Sequence, residues 1–185
     1  MSQARLTING RRLELETGDI TRQAVDAIAN AANSGLRGGG GVDGAIHRAA
    51  GPTLLDELAR RYPNGTPSGT AVETGGHRLP ARWVLHAVGP VWHGGSRGEA
   101  EHLAAAYRSC LTLCDQLGAR SVAFPAISMG IYGYPGREGA LIAVRTAAEH
   151  LQTDTSLELV RFVLFSEETR ALFDAAVAAM ERELI

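Results

Sequence analysis

Two stretches, Trp83–Val88 (WVLHAV) and Leu159–Phe165 (LVRFVLF), are apolar at nearly every position rather than at alternate ones, and helical patterns flank both. A strand without a polar face must be covered on both sides, as central strands between layers of helices are. Similar short runs, bounded by Gly, Pro, Asn and Asp, predict further strands at Arg5–Ile8, Arg12–Glu16, Asp26–Asn30, Thr70–Thr74 and Ser121–Pro125. Helical periodicity predicts helices over Val42–Ala50, Thr53–Arg60, Glu99–Leu117, Gly136–His150 and Glu168–Leu184. The chain therefore opens with strands suited to an antiparallel edge and then alternates strand and helix, an α/β layer fold.

At 185 residues, 45% of them hydrophobic, the chain is long enough for one well-buried core and short for two, so residues 1–185 are expected to form one domain. There is no internal repeat, and Pro63–Gly69 reads as a surface connection. The N-terminus lacks the apolar core of a signal peptide, and no run approaches about 18 uninterrupted apolar residues, so a cytoplasmic protein with no membrane partner is expected. A net charge of -2 and a pI near 6.3 supply no basic field, which argues against nucleic acid as a partner. All 18 Lys-plus-Arg residues are Arg, which removes lysine Schiff-base chemistry and any Walker phosphate loop. Cys110 and Cys114 lie on a helical pattern without zinc spacing and read as packed, reduced thiols; neither a metal nor a cofactor is expected.

Two glycine-bearing loops suit an anion. In the first, Gly38–Gly41 run directly into the helix that begins near Val42, so free backbone N–H groups point at whatever lies against the helix's positive end. The second, Ala126–Gly136, follows the Ser121–Pro125 strand and also runs into a helix. Loops at the carboxyl ends of α/β strands are where ligands bind, and two together suit a pyrophosphate. Gly39, Gly41 and Gly44 do match the dinucleotide fingerprint. However, they lie well past the strand end, no acidic strand end follows about 20 residues on, and the chain lacks room for a separate catalytic domain.

On the helix from Val42, the residues Val42, Ala45, Ile46, Ala49 and Ala50 are expected to form the apolar stripe, with Asp43 and His47 bordering it. Four apart, Asp43 and His47 can hydrogen-bond to one another. An Asp in a first turn commonly serves only the helix dipole and a lone helical His commonly packs; their pairing beside an anion loop is what points to chemistry. Asn30 and Asn33 read as turn formers that could also serve a sugar hydroxyl, and Asp19 as a helix cap that could equally accept from an adenine amino group. His77, His86, His93, His102 and His150 lack metal spacing and default to surface or core roles.

From Gly18-Asp19-Ile20-Thr21 through Asn30-Ala31-Ala32-Asn33, the glycine stretch with Val42-Asp43-Gly44, His47–Pro52, His86–Trp92, Phe124–Ser128 and Gly130–Pro135, the sequence resembles the macrodomains, specifically the MacroD-type ADP-ribosyl hydrolases. The resemblance implies a three-layer α/β/α sandwich with a mixed central sheet. It also implies ADP-ribose lying across the two loops. Asp19 and the Ile20 amide would then meet the adenine, with Phe165 in the same pocket. Asn33 would hold the distal ribose. Gly40, Gly41 and Val42 would line the ribose and diphosphate from one side, and Ser128, Gly130, Ile131 and Tyr132 from the other. Asp43 would position or activate a water, supported by His47. The implied reaction is metal-independent hydrolysis of an ester at the distal ribose, in O-acetyl-ADP-ribose or in proteins mono-ADP-ribosylated on Glu or Asp, by a protein expected to be a monomer. Met129 stands where Thr is expected in this class; because the loop's phosphate contacts are mainly backbone, binding is expected to survive, with a hydroxyl contact or the pocket's shape changed. Two rival readings remain: a macrodomain that binds ADP-ribose without turnover, and a nucleotide-binding oxidoreductase fragment.

Overall fold

The computed structural model describes residues 5–184. Seven strands form one sheet in the order β1-β2-β7-β6-β3-β5-β4. They are β1 (Arg5–Ile8), β2 (Arg11–Thr17), β3 (Ala27–Ala32), β4 (Ala71–Gly75), β5 (Trp83–Val88), β6 (Ser121–Phe124) and β7 (Leu159–Leu164). The outermost pairs, β1 with β2 and β4 with β5, are antiparallel, and every pairing between them is parallel. Parallel neighbours need crossover connections, and helices supply them. These are α1 (Gly41–Ala50), α2 (Thr53–Arg61), α3 (Glu99–Leu117), α4 (Gly136–Leu151) and α5 (Glu167–Glu183). No helix among the described residues is long and apolar enough to cross a membrane.

Strand side chains alternate between the two faces, which divides the core into two layers. On β3, Ala27 and Ala29 join the layer under α3, α4 and α5, where Tyr107, Phe124, Phe162 and Phe173 pack ring to ring at 5.1–6.1 Å. Ile28 and Ala32 join the other layer, with Ile46 and Ala50 of α1 and Leu54 and Leu58 of α2. The result is the expected three-layer α/β/α sandwich with a mixed sheet. Cys110 and Cys114 are free thiols buried in the first layer, and burial raises the pKa of both.

Element boundaries fall within two residues of the sequence reading, and two differences bear on the site. First, β3 continues to Ala32, so Asn30 is a strand residue in register with His86 of β5 rather than a turn former. Second, the buried residues of α1 are Asp43, Gly44, Ile46 and Ala50, while Ala49 is exposed. Asp43 therefore does not border the packed face but lies within it. The rotation follows from Gly44: a Cβ there would stand 2.6 Å from the Gly39 carbonyl oxygen, so the missing side chain lets this face of the helix press onto its own entry loop.

Candidate active site

A cleft of about 300 Å³ opens at the carboxyl ends of β3, β5 and β6. One wall is Gly39–Asp43, the other is Ala126–Ser128 with Gly130–Tyr132, and Ala31–Asn33 and Gly89 also line it. The first wall is the N-terminus of α1, where the Val42 and Asp43 N–H groups precede the first intrahelical bond, from Gly44 N–H to the Gly40 carbonyl at 3.2 Å. Gly38 and Gly41 take positive φ (86° and 57°), and Gly40 has open space where a Cβ would lie. Asn33 stiffens this wall by donating its side-chain amide to the Gly38 carbonyl (2.9 Å). The Pro63–Gly69 connection braces the Asn33–Gly38 segment from outside, with the Thr66 N–H donating to the Ser34 carbonyl (2.9 Å).

The second wall is held from beneath. The buried Tyr107 hydroxyl accepts the Ile127 N–H (2.9 Å) and donates to the Pro125 carbonyl (3.3 Å). Ser128, at φ 65°, has a buried hydroxyl with no partner among the described residues. It sits over Gly89, where a Cβ would come within 2.2 Å of its Oγ. Met129 is the one residue of 126–132 that does not line the cleft. Its thioether turns down onto α4, at 3.2 Å from where a Cβ on Gly139 would lie. The departure from Thr thus fills space under the loop rather than within the pocket.

Asp43 is 5% exposed. Its Oδ1 accepts from Asn30 Nδ2 (2.7 Å) and faces His47 Nε2 (3.3 Å), while Oδ2 lies toward Gly39, on the side of the cleft. Behind Asn30, the amide nitrogen also meets His86 Nδ1 (3.2 Å), and His86 Nε2 meets Thr74 Oγ1 (2.9 Å). Burial, reinforced by His47 and opposed by the charges of Asp43 and Glu57, pulls the His86 pKa down to about 3, so this imidazole is neutral at physiological pH.

Of the residues named from sequence, Asn33, Gly40, Gly41, Val42, Asp43, Ser128, Gly130, Ile131 and Tyr132 line one cleft, with His47 on Asp43. Asp19, Ile20 and Phe165 lie outside it, near the carboxyl ends of the adjacent strands β2 and β7, along the same edge of the sheet. Asp19 caps the one-turn 3₁₀ helix Ile20–Arg22, and hydrogen bonds from the Thr21 side chain and backbone lower its pKa. Ile20 is buried, and Phe165 is 92% exposed. Sequence reasoning gave Asn30 and His86 other roles and missed Gly89, Tyr107 and Glu99, the remaining parts that support the site. The Glu99 carboxylate, at the start of α3, accepts N–H groups from His93 (2.9 Å), Gly95 (2.8 Å) and Arg97 (2.6 Å). Desolvation raises its pKa, but those donors outweigh it and bring the value down to about 2. The loop so gathered joins the second wall, because the Trp92 N–H donates to the Tyr132 carbonyl (2.8 Å).

Sandwich and cleft together define a class of ligand-binding α/β proteins with the site at the carboxyl edge of the sheet. The Macro domain family matches residues 29–143, and the chain belongs to that family. It is 53% identical over 164 residues to an O-acetyl-ADP-ribose deacetylase of Salmonella gallinarum, covering 88% of this chain and 92% of that one. A macro domain-containing protein of Chlorobaculum tepidum is also 53% identical, over 161 residues, with 87% and 92% covered. Among solved structures, the Oceanobacillus iheyensis macrodomain with ADP superposes with a TM-score of 0.93 at 40% identity, over 98% of both chains. A Trypanosoma brucei macrodomain in complex with ADP-ribose gives 0.83 at 41%, over 89% of this chain and 68% of that one.

Proposed function

We propose that this chain hydrolyses the ester on the distal ribose of ADP-ribose, releasing acetate from O-acetyl-ADP-ribose or a Glu or Asp side chain from a mono-ADP-ribosylated protein. The observation that carries this reading is the Asp43 carboxylate, buried in the cleft wall with Oδ1 held by Asn30 and Oδ2 beside Gly39 of the same wall. A module that only holds phosphate needs the two loops but not that group. The relative from Salmonella and the ligand-bound neighbours support the same substrate class.

In this reading the diphosphate lies between the walls, met by the backbone N–H groups of Gly41 and Val42 on one side and of Ser128, Gly130, Ile131 and Tyr132 on the other. Adenine reaches along the sheet edge toward Asp19, the Ile20 amide and Phe165, and Asn33 holds the distal ribose. Asp43 Oδ2 receives a proton from, or orients, the water that attacks the ester carbonyl. The bond from the acyl carbon to the ribose oxygen then breaks, the acyl group departs as the free acid carrying the water's oxygen, and the ribose oxygen takes up the proton to restore the hydroxyl. Asn30 on Oδ1, with His47 beside it, fixes the carboxylate plane and leaves Oδ2 for the water.

The test is metal-free turnover of O-acetyl-ADP-ribose and, separately, of a protein mono-ADP-ribosylated on glutamate, by the parent and by Asp43→Ala. The variant should lose at least about tenfold in kcat while still binding ADP-ribose in calorimetry, given the usual weight of general-base catalysis. An Asp43→Ala protein as fast as the parent removes Asp43 from the reaction. A parent that binds ADP-ribose yet turns over neither ester is a reader of the ligand and not an enzyme.

A further inference from the structure

Asn30, His86 and Thr74 stand on the one face of the sheet that α1 covers, each fully buried, and none of them lines the cleft. Their hydrogens can be assigned from chemistry alone. A carboxylate only accepts, so the group that Asn30 turns to Asp43 Oδ1 at 2.7 Å is its NH2 and not its carbonyl. The same NH2 spends its second hydrogen on His86 Nδ1, 3.2 Å away, which makes Nδ1 an acceptor. The imidazole proton is then on Nε2, donated to Thr74 Oγ1 at 2.9 Å, and the Thr74 hydroxyl donates onward to the Gly75 carbonyl at 3.1 Å.

The opposite tautomer fails at the Asn30 link, and at Thr74 it would take the hydroxyl hydrogen that the Gly75 carbonyl accepts. With its proton on Nδ1, His86 would face the Asn30 NH2 donor to donor. The amide could escape only by turning over, which would place its carbonyl oxygen against the Asp43 carboxylate. We propose that His86 is a positioning residue for Asp43: a neutral imidazole, locked in the Nε2–H form by Thr74, fixes which end of the Asn30 amide meets the carboxylate. The proposal rests on the reading of Asp43 given above and adds the device that orients it. Burial of all three side chains shields this chain of donors from exchange with water, so the orientation set at Thr74 is transmitted over two residues to the cleft.

The tautomer itself is tested without any assay of turnover. Two-bond ¹⁵N–¹H correlation spectra of the labelled protein, with His86 assigned by its loss in His86→Asn, should show a protonated Nε2 and a bare Nδ1. A protonated Nδ1, or a mixture of tautomers, overturns the proposal. Its consequence is tested at the far end of the relay. Thr74→Val removes the acceptor that holds the Nε2 proton and keeps the side chain's volume, whereas Thr74→Ser keeps the hydroxyl. Thr74→Val should lower kcat by between tenfold and about a hundredfold, the scale of a small misplacement of a catalytic group, with ADP-ribose affinity unchanged. Thr74→Ser should recover most of the loss. Equal losses in the two variants, or a loss confined to affinity, would mean that Thr74 and His86 only pack. A parent-like Thr74→Val beside an inactive Asp43→Ala overturns the part of His86 alone, whereas a parent-like Asp43→Ala overturns the reading of Asp43 and the positioning role with it.

Discussion

The neutral His86 makes the fold acid-labile above the range in which carboxylates titrate, and the size of the effect follows from its burial. The folded pKa is depressed from 6.5 to about 3, so the unfolded chain binds the extra proton between those values and the folded chain does not. Stability from this residue is fully present above the unfolded pKa and is lost as pH falls toward the folded one. At about pH 5 the unfolded imidazole is protonated by roughly 30 to one while the buried ring remains neutral, so the unfolded state gains about 2 kcal/mol relative to about pH 7. That is a large share of a typical margin of about 5–15 kcal/mol. Urea unfolding at the two pH values, for the parent and for His86→Asn, isolates the term. Asparagine offers an acceptor near Nδ1 and cannot be protonated, and all other titrating groups are common to both proteins. The parent should lose about 2 kcal/mol more than the variant on acidification. Equal losses would mean that His86 takes up its proton in the folded state, and the assigned hydrogen-bond pattern could not stand.

Three further perturbations separate the walls of the cleft. Gly44→Ala drives a methyl group to 2.6 Å from the Gly39 carbonyl oxygen, so it should destabilise by about 1–3 kcal/mol in thermal or urea unfolding and displace Asp43, lowering turnover with it. Tyr107→Phe leaves the buried Ile127 N–H without its acceptor; a loss of about 1–3 kcal/mol is expected, with weaker ADP-ribose binding by calorimetry because Ser128 is the next residue. Gly40→Glu meets open space at an ordinary negative φ, so the melting temperature should be unchanged while a carboxylate is added at the phosphate wall. ADP-ribose affinity should fall at least about tenfold from that repulsion, and an unchanged Kd would take the diphosphate away from this loop.

Sequence made the layers legible because periodicity reports burial directly. WVLHAV and LVRFVLF read as covered strands and occupy interior positions of the sheet, and the periodicity over Glu99–Leu117 matches α3, whose flanking Gly98 and Gly118 are both left-handed. The cleft was equally legible where chemistry is local: the glycine run, Asp43 and His47 lie within ten residues of one another. What could not be read was pairing across strands. Asn30 and His86 are 56 positions apart and become neighbours only through the parallel register of β3 and β5. Asn30 carried one usable signal, a polar residue inside a strand run, but turn statistics for Asn pointed the other way. The polar His86 within an apolar strand carried the same signal and was assigned to a default role. The face of α1 was misjudged for a related reason: hydrophobicity ranks Ala49 above Asp43, whereas the close approach of Gly44 to Gly39 decides which side of the helix turns inward.

That rotation of α1 links stability to the proposed chemistry. A carboxylate placed within a packed helix face loses most of its hydration, and burial without partners would cost the fold on the order of several kcal/mol, as an unpaired buried charge does. The Asn30 amide from the sheet donates to Oδ1, and His47 Nε2 on the helix itself stands 3.3 Å from the same oxygen. Asn30 in turn must be buried to reach Asp43, so it needs a partner of its own, and His86 with Thr74 provides a terminus for the series at the Gly75 carbonyl. Each polar group in this series is therefore there because the one before it required satisfaction, starting from a single acid at the cleft. The Asn30 Oδ1 atom, buried and without a partner among the described residues, is the one point where that sequence stays open. An apolar replacement of the whole series would pack more simply, so its presence is explained by what Asp43 does at the pocket rather than by what the series contributes to the fold.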